Sequence, residues 1–560
     1  MRIVARIAGL AVAGAVALSV GAPAAQAHDP ETEEGAAAIA AFMADHEPAE
    51  RMAAITGAEV PCENGMAGDY PCQNVDLQSV LPLSDIGGGN GSDIWGWTDP
   101  STGKEYALMT RSNGTAFVDV TTPTSPVYLG NLPSHGGKSS SWRDVKVYKN
   151  HAFVVADAIS GHGMQVFDLT RLRGVSSPQT FTEDAHYDDF GPAHNIVINT
   201  DSGYAYAVGS DTCNAGPHIV DISTPKSPVA AGCVGGDGYT HDAQCVNYAG
   251  PDADYAGREI CMNSNEDTLT IEDVTDKANP VRVSRTGYSG AAYTHQGWFT
   301  EDQRYFVLDD ELDESNNVLD KKTKTYIFDV SDLDNPEHVG THKSSVTAID
   351  HNQYVKGDYV YQANYQAGLR ILDVTQVGGG TLSEVAYFDI YPSGNAAEFN
   401  GAWSVYPYFD SGTVIISGIE QGLVVVKPDL SGGTDPDPDP DPDPEQCSGS
   451  NDTNVSIPDA GSAVTSSIEI SGCGRTASSS ASISVDIEHT YRGDLVIDLI
   501  APDGSDIRLK SSNWFGYQDD VHTTYTKDLS AYDADGTWKL RVRDVYSGDT
   551  GHIDRWSLDL

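Results

Sequence analysis

Between residues 117 and 375 the chain repeats one short run six times: apolar residues, an aspartate, an apolar residue, then serine or threonine. The copies are Phe117-Val-Asp-Val-Thr-Thr-Pro123, Val166-Phe-Asp-Leu-Thr170, Ile219-Val-Asp-Ile-Ser-Thr-Pro225, Ile271-Glu-Asp-Val-Thr275, Tyr326-Ile-Phe-Asp-Val-Ser331 and Leu369-Arg-Ile-Leu-Asp-Val-Thr375. Their aspartates, Asp119, Asp168, Asp221, Asp273, Asp329 and Asp373, are 49, 53, 52, 56 and 44 residues apart. Each run is rich in branched residues that suit a pleated strand. Its Asp and Thr can bond the backbone two residues on and start a turn. Prolines then interrupt the ladder, as in Pro123-Thr-Ser-Pro126 and Pro225-Lys-Ser-Pro228. Two earlier strands precede the run, for example Asn352–Val355 and Tyr359–Gln362. Four antiparallel strands per unit, repeated radially at this period, predict an all-β chain with a seven-bladed β-propeller. The seventh copy, Leu423-Val-Val-Val-Lys427, is degraded and lacks a following strand. The segment from Val75 to Leu83 is expected to supply that strand and close the ring.

The ends differ from this repeat. Arg2 and Arg6, the apolar run Leu10–Val20 and Ala25-Gln26-Ala27 form the three parts of a secretory signal peptide, residues 1–27. An Ala/Glu-rich leader follows over 28–61, and the repeat domain covers 62–430. In the linker 431–446, five Asp-Pro dipeptides from Asp435 to Pro444 make a stiff, self-repelling spacer of about 31 Å. Residues 447–560 alternate apolar and polar in Ser482–Ile487 and Asp494–Ile500, with turns at Pro502-Asp-Gly504 and Asp535-Gly536, and predict a β-sandwich.

Charge and cysteines bound the partners and the compartment. The chain carries 33 Lys and Arg against 81 Asp and Glu, a net charge of −48, which repels nucleic acid and anionic lipid. No later stretch is long and apolar enough to span a bilayer. The 8 cysteines fall in the couples Cys62/Cys72, Cys213/Cys233, Cys245/Cys261 and Cys447/Cys473. In an exported chain with no C-x-x-C, neighbour disulfides are the simplest pairing, although spacing alone does not fix connectivity.

Two resemblances cover most of the chain. The stretches His489-Thr-Tyr-Arg-Gly-Asp-Leu-Val-Ile-Asp-Leu-Ile-Ala-Pro-Asp-Gly504, Gly536-Thr-Trp-Lys-Leu540 and Asp544-Val-Tyr-Ser-Gly-Asp-Thr-Gly551, with Trp556, resemble the P/Homo B domain of subtilisin-like proprotein convertases. That resemblance implies a jelly-roll-like sandwich. Asp93-Ile-Trp-Gly-Trp97, Gly114-Thr-Ala-Phe-Val-Asp119, Ser141-Trp-Arg-Asp-Val-Lys-Val-Tyr148 and His162-Gly-Met-Gln-Val-Phe-Asp-Leu169 are similar to the LVIVD-repeat, choice-of-anchor B type of bacterial surface protein. It implies an extracellular or cell-surface location and no particular activity.

Proteolysis by this chain itself is not expected. No Gly-Thr-Ser-Met-Ala stretch, G-x-S-x-G elbow or H-E-x-x-H is present, and no segment remains to form an α/β catalytic domain. One constellation survives. His194, His241, His295 and His351 each stand just before the first strand of successive units, 47, 54 and 56 residues apart. The first strand lines a propeller's channel, and the end of the antiparallel second strand lies beside its start. At those ends stand Asp157, Asp211, Glu266, Asp310, Asn364 and Glu420. His194, His241, His295 and His351 with Asp211, Glu266 and Asp310 are therefore candidate ligands for a transition metal. The competing account is that each histidine only locks its blade start through a backbone bond. In the P-like domain Asp494, Asp498, Asp544 and Asp549 are candidate calcium ligands, as in some domains of that family, against a plain role in capping turns.

The reading is a secreted or cell-surface binding protein, with the propeller face as its site, an unidentified extracellular ligand or protein as partner, and the P-like domain as a stabilising or attachment module. An extracellular metalloenzyme (a hydrolase) built on the histidine ring, and an accessory factor of a subtilisin-like serine endopeptidase, are the alternatives. Intact-mass measurement of the exported protein is expected to place the mature N-terminus at His28. A chain retaining residues 1–27 would overturn the export reading.

Overall fold

The computed structural model describes residues 53–316, 321–430 and 447–560 except 452, 471, 472, 474, 479, 480 and 513–519. The expected signal peptide, most of the expected Ala/Glu-rich leader and the Asp-Pro linker lie outside these residues. The chain divides into two compact units, Met1–Gly433 and Thr434–Leu560.

The first unit is a β-propeller of seven four-stranded antiparallel sheets, two of them with added edge strands. Their first strands are Gly91–Thr98, Arg143–Tyr148, Asn195–Asn199, Asp242–Asn247, Thr294–Phe299, Gln353–Lys356 and Ala402–Tyr406. Each packs beside the next, and the seventh packs beside the first. We number the blades 1 to 7 in that order. In the six repeated runs the aspartate carboxylate accepts from the backbone N–H two residues on. These bonds are Thr121 to Asp119 at 3.1 Å, Thr170 to Asp168 at 3.1 Å, Ser223 to Asp221 at 2.8 Å, Thr275 to Asp273 at 3.0 Å, Ser331 to Asp329 at 2.9 Å and Thr375 to Asp373 at 2.7 Å. The repeat is thus a turn that ends the third strand and aims the chain at the fourth.

Blade 7 takes its fourth strand from the N-terminal side. Val75–Leu81 pairs antiparallel with Gly422–Pro428. Just before it, Tyr70–Gln73 adds to the edge of blade 6 through Cys72↔Phe388, and the Cys62–Cys72 disulfide fixes that turn. Ile55 and Val60 bridge Val80 and Leu77, so the last residues of the expected leader lie on the closing strand. The other disulfides are Cys213–Cys233, Cys245–Cys261 and Cys447–Cys473, which is neighbour pairing throughout.

Apolar seams between successive blades form the core. Between blades 7 and 1, for example, Ile94, Ala107 and Met109 pack on Ile415, Leu423 and Val425. Polar links cross the same seams. Arg173, after the blade 2 turn, donates to Asp99 of blade 1 at 2.8 Å from Nε and 2.6 Å from Nη2.

The second unit is a two-sheet sandwich. One sheet contains Ser448–Asn451, Gly551–Asp559, Ala481–His489 and Val521–Lys527; the other contains Val464–Ile470, Gly536–Asp544, Leu495–Ile500 and Asp506–Lys510. Alternate residues of both sheets face one core around Trp538 and Trp556. Among the described residues no helix is long and apolar enough to cross a membrane.

Two outcomes are expected. Leu77 on the closing strand is fully buried, so Leu77→Ala should cost about 2–5 kcal/mol in chemical denaturation; an unchanged midpoint would show that closure does not bear on stability. The Arg173 guanidinium, aided by Ser101 and Thr102, holds the Asp99 carboxyl down to about 2 from its ordinary 3.8. That stabilisation is full above pH 3.8 and disappears as the pH falls towards 2. Asp99→Asn should therefore lower the melting temperature at neutral pH, with a deficit that shrinks across this window.

Candidate metal centre

The four histidines stand side by side at one mouth of the channel, because each occupies the start of its blade's innermost strand. Their ring centroids step round the mouth, 4.4 Å from His194 to His241, 4.1 Å from His241 to His295 and 4.4 Å from His295 to His351. All four are buried.

Each ring is tied at Nδ1. His241 Nδ1–H donates to the His295 carbonyl at 3.0 Å, and His351 Nδ1–H donates to the Trp403 carbonyl. A carbonyl only accepts, so in the neutral rings Nε2 carries the lone pair. His194 Nδ1 lies 2.9 Å from Asp157 Oδ2, and His295 Nδ1 lies 3.0 Å from Asp309 Oδ1. A carboxylate or carbonyl behind the far nitrogen is the usual support of a metal-binding imidazole. Burial, with the neighbouring His295, drives His351 down to about 3, so this ring is neutral at physiological pH.

Glu311 completes the geometry. Its Oε2 is 4.0 Å from His295 Nε2 and its Oε1 is 3.7 Å from His351 Nε2. One ligand atom from each of His295, Glu311 and His351 lies within 4.8 Å of the others. The Tyr365 hydroxyl donates to Glu311 Oε1 at 2.7 Å and orients it.

Of the acidic residues expected here, the structure brings neither Asp211 nor Asp310 to the imidazoles. Asp310 ends the strand Tyr305–Asp310, where alternate residues face opposite sides. Asp309 and Glu311 share the channel face, whereas Asp310 turns away and accepts from Ala292 N at 2.8 Å, Tyr293 N at 2.7 Å and the Tyr288 hydroxyl at 2.7 Å. Asp211 is exposed and accepts from Gly191 N at 2.9 Å. Glu266 is half-buried, and its backbone bridges Thr294, next to His295. Glu311 and Asp309 were missed, and strand parity was the signal that could have found them.

Carboxyl groups crowd behind the site. Asp309, Asp313, Glu314 and Asp350 are all buried, and Lys324 reaches Asp313 at 3.1 Å. Burial raises Asp309 and Asp350 well above the carboxylate range; burial together with Asp350 pushes Glu314 up to about 12. This region holds more carboxyls than the cation beside it can balance.

Between the same inner strands, reaching past their C-terminal ends, lies a cavity of about 390 Å³, lined by Trp95, Trp298, Tyr354 and Tyr408 among others. The repeat pattern gave no sign of it.

In the second unit Asp494 and Asp544 are buried and Asp549 is half-buried, its Oδ1 accepting from the Thr490 hydroxyl at 2.9 Å. Burial and the charges of Asp544 and Asp549 raise the Asp494 carboxyl. Asp498 does not join them. Its cross-strand partners are Arg508 and Arg541, and both donate to it, Arg541 at 2.8 Å.

Comparison with known proteins now bears on both units. Residues 478–560 match the Proprotein convertase P-domain. Residues 352–378 match the LVIVD repeat, within blade 6. The chain is 55% identical over 108 residues to the Transglutaminase-activating metalloprotease of Streptomyces mobaraensis, covering 19% of this chain and 14% of that protein. It is 41% identical over 109 residues to Leupeptin-inactivating enzyme 1 of Streptomyces exfoliatus, covering 19% and 25%. It is 33% identical over 108 residues to an Extracellular basic protease of Dichelobacter nodosus, covering 19% and 17%. The chain thus spans a quarter or less of these relatives' lengths. Among solved structures, a protein from Lactobacillus plantarum aligns with a TM-score of 0.43 at 13% identity, over 61% of this chain and 93% of that one. The propeller assignment rests on the seven sheets themselves.

Proposed function

We propose that this chain is an exported binding protein whose propeller holds a transition-metal ion at His295, His351 and Glu311. The observation that carries this reading is the set of four imidazoles tied at Nδ1 at one channel mouth, two of them presenting Nε2 to one carboxylate. Two imidazoles and a carboxylate suit zinc, manganese or iron. Three protein ligands also leave a coordination position open. The ligands are 5% exposed or less, so a polymeric substrate has no access. The reading is therefore binding of the ion, with or without a small ligand, and not hydrolysis of a macromolecule. The signal sequence and the P-domain shared with secreted enzymes support an extracellular site of action, with the P-domain as a stabilising or attachment module. Calcium at Asp494, Asp544 and Asp549 is a proposal of the same kind for that unit.

Elemental analysis of the purified mature protein, dialysed against zinc, manganese and iron in turn, tests the channel site. One equivalent is expected to be lost in His295→Ala, and also in Glu311→Gln, which keeps the side chain's shape and guards against misfolding. Equal metal content in wild type and both variants would sink the proposal, as would no retained metal in wild type.

A further inference from the structure

A second cluster of metal-ligating side chains lies outside the channel, where blade 1 ends and the outer edge of blade 2 begins. His135 opens the turn His135–Gly137, directly after the last strand of blade 1, Val127–Pro133. Glu183 stands just before the outer strand of blade 2, Ala185–Tyr187, and His186 is in it. We propose that His135, Glu183 and His186 bind a divalent ion of the zinc type and clip blade 1 to blade 2.

The geometry is that of ligands already gathered. His135 Nδ1 lies 2.9 Å from Glu183 Oε1, and one ligand atom from each of the three residues lies within 4.8 Å of the others. Two ligand atoms 2.9 Å apart need to part by only about half an ångström to take neighbouring tetrahedral positions on an ion with bonds of about 2.0–2.2 Å. The supporting contacts are in place. His186 Nε2–H donates to the His162 carbonyl at 2.7 Å, which leaves Nδ1 with its lone pair in the neutral ring. Gln165 Nε2 donates to Glu183 Oε2 at 2.7 Å, so one carboxylate oxygen is held while the other faces His135.

One adjustment is required. The His135 and His186 rings lie parallel, 2° apart in plane and 3.8 Å between centroids. An ion binds in the plane of an imidazole, so one ring must turn about its Cβ–Cγ bond to share it. His135 is the ring that can turn: its side chain is 33% exposed, and Gly136 and Gly137 beside it border open space. The turn gives up a stacked contact and one hydrogen bond, which the metal bonds replace.

The position also has a structural use. In the propeller, disulfides tie the N-terminal segment, blade 3 and blade 4, and among the described residues none lies in blades 1 or 2. A metal clip would supply a cross-link there, stabilising the folded chain by binding it alone. The ligands are half-buried, so the ion should exchange more readily than one in the channel.

The full-length mature protein, stripped by a chelator and titrated with zinc alone, decides the matter. Wild type is expected to bind one equivalent more than either His135→Ala or Glu183→Gln, and to gain more in melting temperature on zinc addition. Both variants should melt with wild type when metal-free. Gln165→Ala should keep the equivalent but weaken it about tenfold. His295→Ala keeps this equivalent while losing the channel one, so the two sites fail separately. The same number of equivalents in wild type, His135→Ala and Glu183→Gln would overturn the clip, and so would a wild type that binds no zinc. If His135→Ala does not fold, Glu183→Gln decides alone, because Gln fills the same volume and leaves the Gln165 contact possible.

Discussion

Ring closure is the constraint on which the propeller unit depends. A propeller buries each sheet only against its neighbours, so an unclosed ring exposes two sheet faces at once. Here closure is a strand exchange between the two ends of the domain: Val75–Leu81 completes the sheet begun by Ala402–Tyr406. Leu77, Val80, Val424 and Val426 then sit in one apolar seam with residues of blade 6. The N-terminal segment is held twice before that, by its pairing with blade 6 and by the Cys62–Cys72 bond. Because that disulfide closes a short loop just ahead of the strand, it restricts the chain where freedom would most oppose closure.

Closure has an electrostatic consequence at the centre. Seven inner strands face one another across a narrow channel, and several carry charge. Lys146 Nζ lies 2.5 Å from Asp144 Oδ1 and 3.1 Å from Asp93 Oδ2, and stands 4.8 Å from the centre of the Trp95 ring. Asp144 also accepts from the backbone N–H of Ile196 at 2.7 Å, so the group joins blades 1, 2 and 3. Removing one member of such a buried set leaves the others uncompensated, and that ties the register of the inner strands to one arrangement. Towards the histidine mouth the balance changes, because Asp309, Glu311, Asp313, Glu314 and Asp350 are all buried and the Lys324 ammonium pairs with Asp313. A cation at Glu311 relieves this imbalance; protons on the carboxyls are the other way to do so.

Local chemistry repeated in register was legible in the sequence. The Asp-x-Thr turn, the period near 50 and the missing seventh strand each follow from one residue's hydrogen bonding or one strand's absence, and the structure shows them. The row of four histidines was legible for the same reason. Side-chain parity was not. Choosing Asp310 over Glu311 required knowing where the second strand of blade 5 starts, since a shift of one residue reverses the face presented. Asp498 was misjudged through the same kind of gap, as its arginine partners come from two other strands. His135 and Glu183 lie 48 residues apart but outside the repeated positions, so no comparison of units could pair them.

The four imidazoles are equivalent by repeat yet unequal by environment, and this argues for how the site arose within the fold. His194 rests on Asp157 of blade 2, and His241 on the backbone of His295. His295 and His351 both turn Nε2 towards the Glu311 carboxylate, because blade 5 continues past its second strand into Glu311 and a single turn of helix, Asp313–Asn316. The repeat thus supplies a scaffold of oriented rings, and a departure from the repeat in one blade supplies the carboxylate that would make two of them the proposed metal pair. A purely structural histidine would need only the first contribution. The second, an acidic residue buried beside His295 and His351 and oriented by Tyr365, carries a desolvation cost that a bound cation would offset.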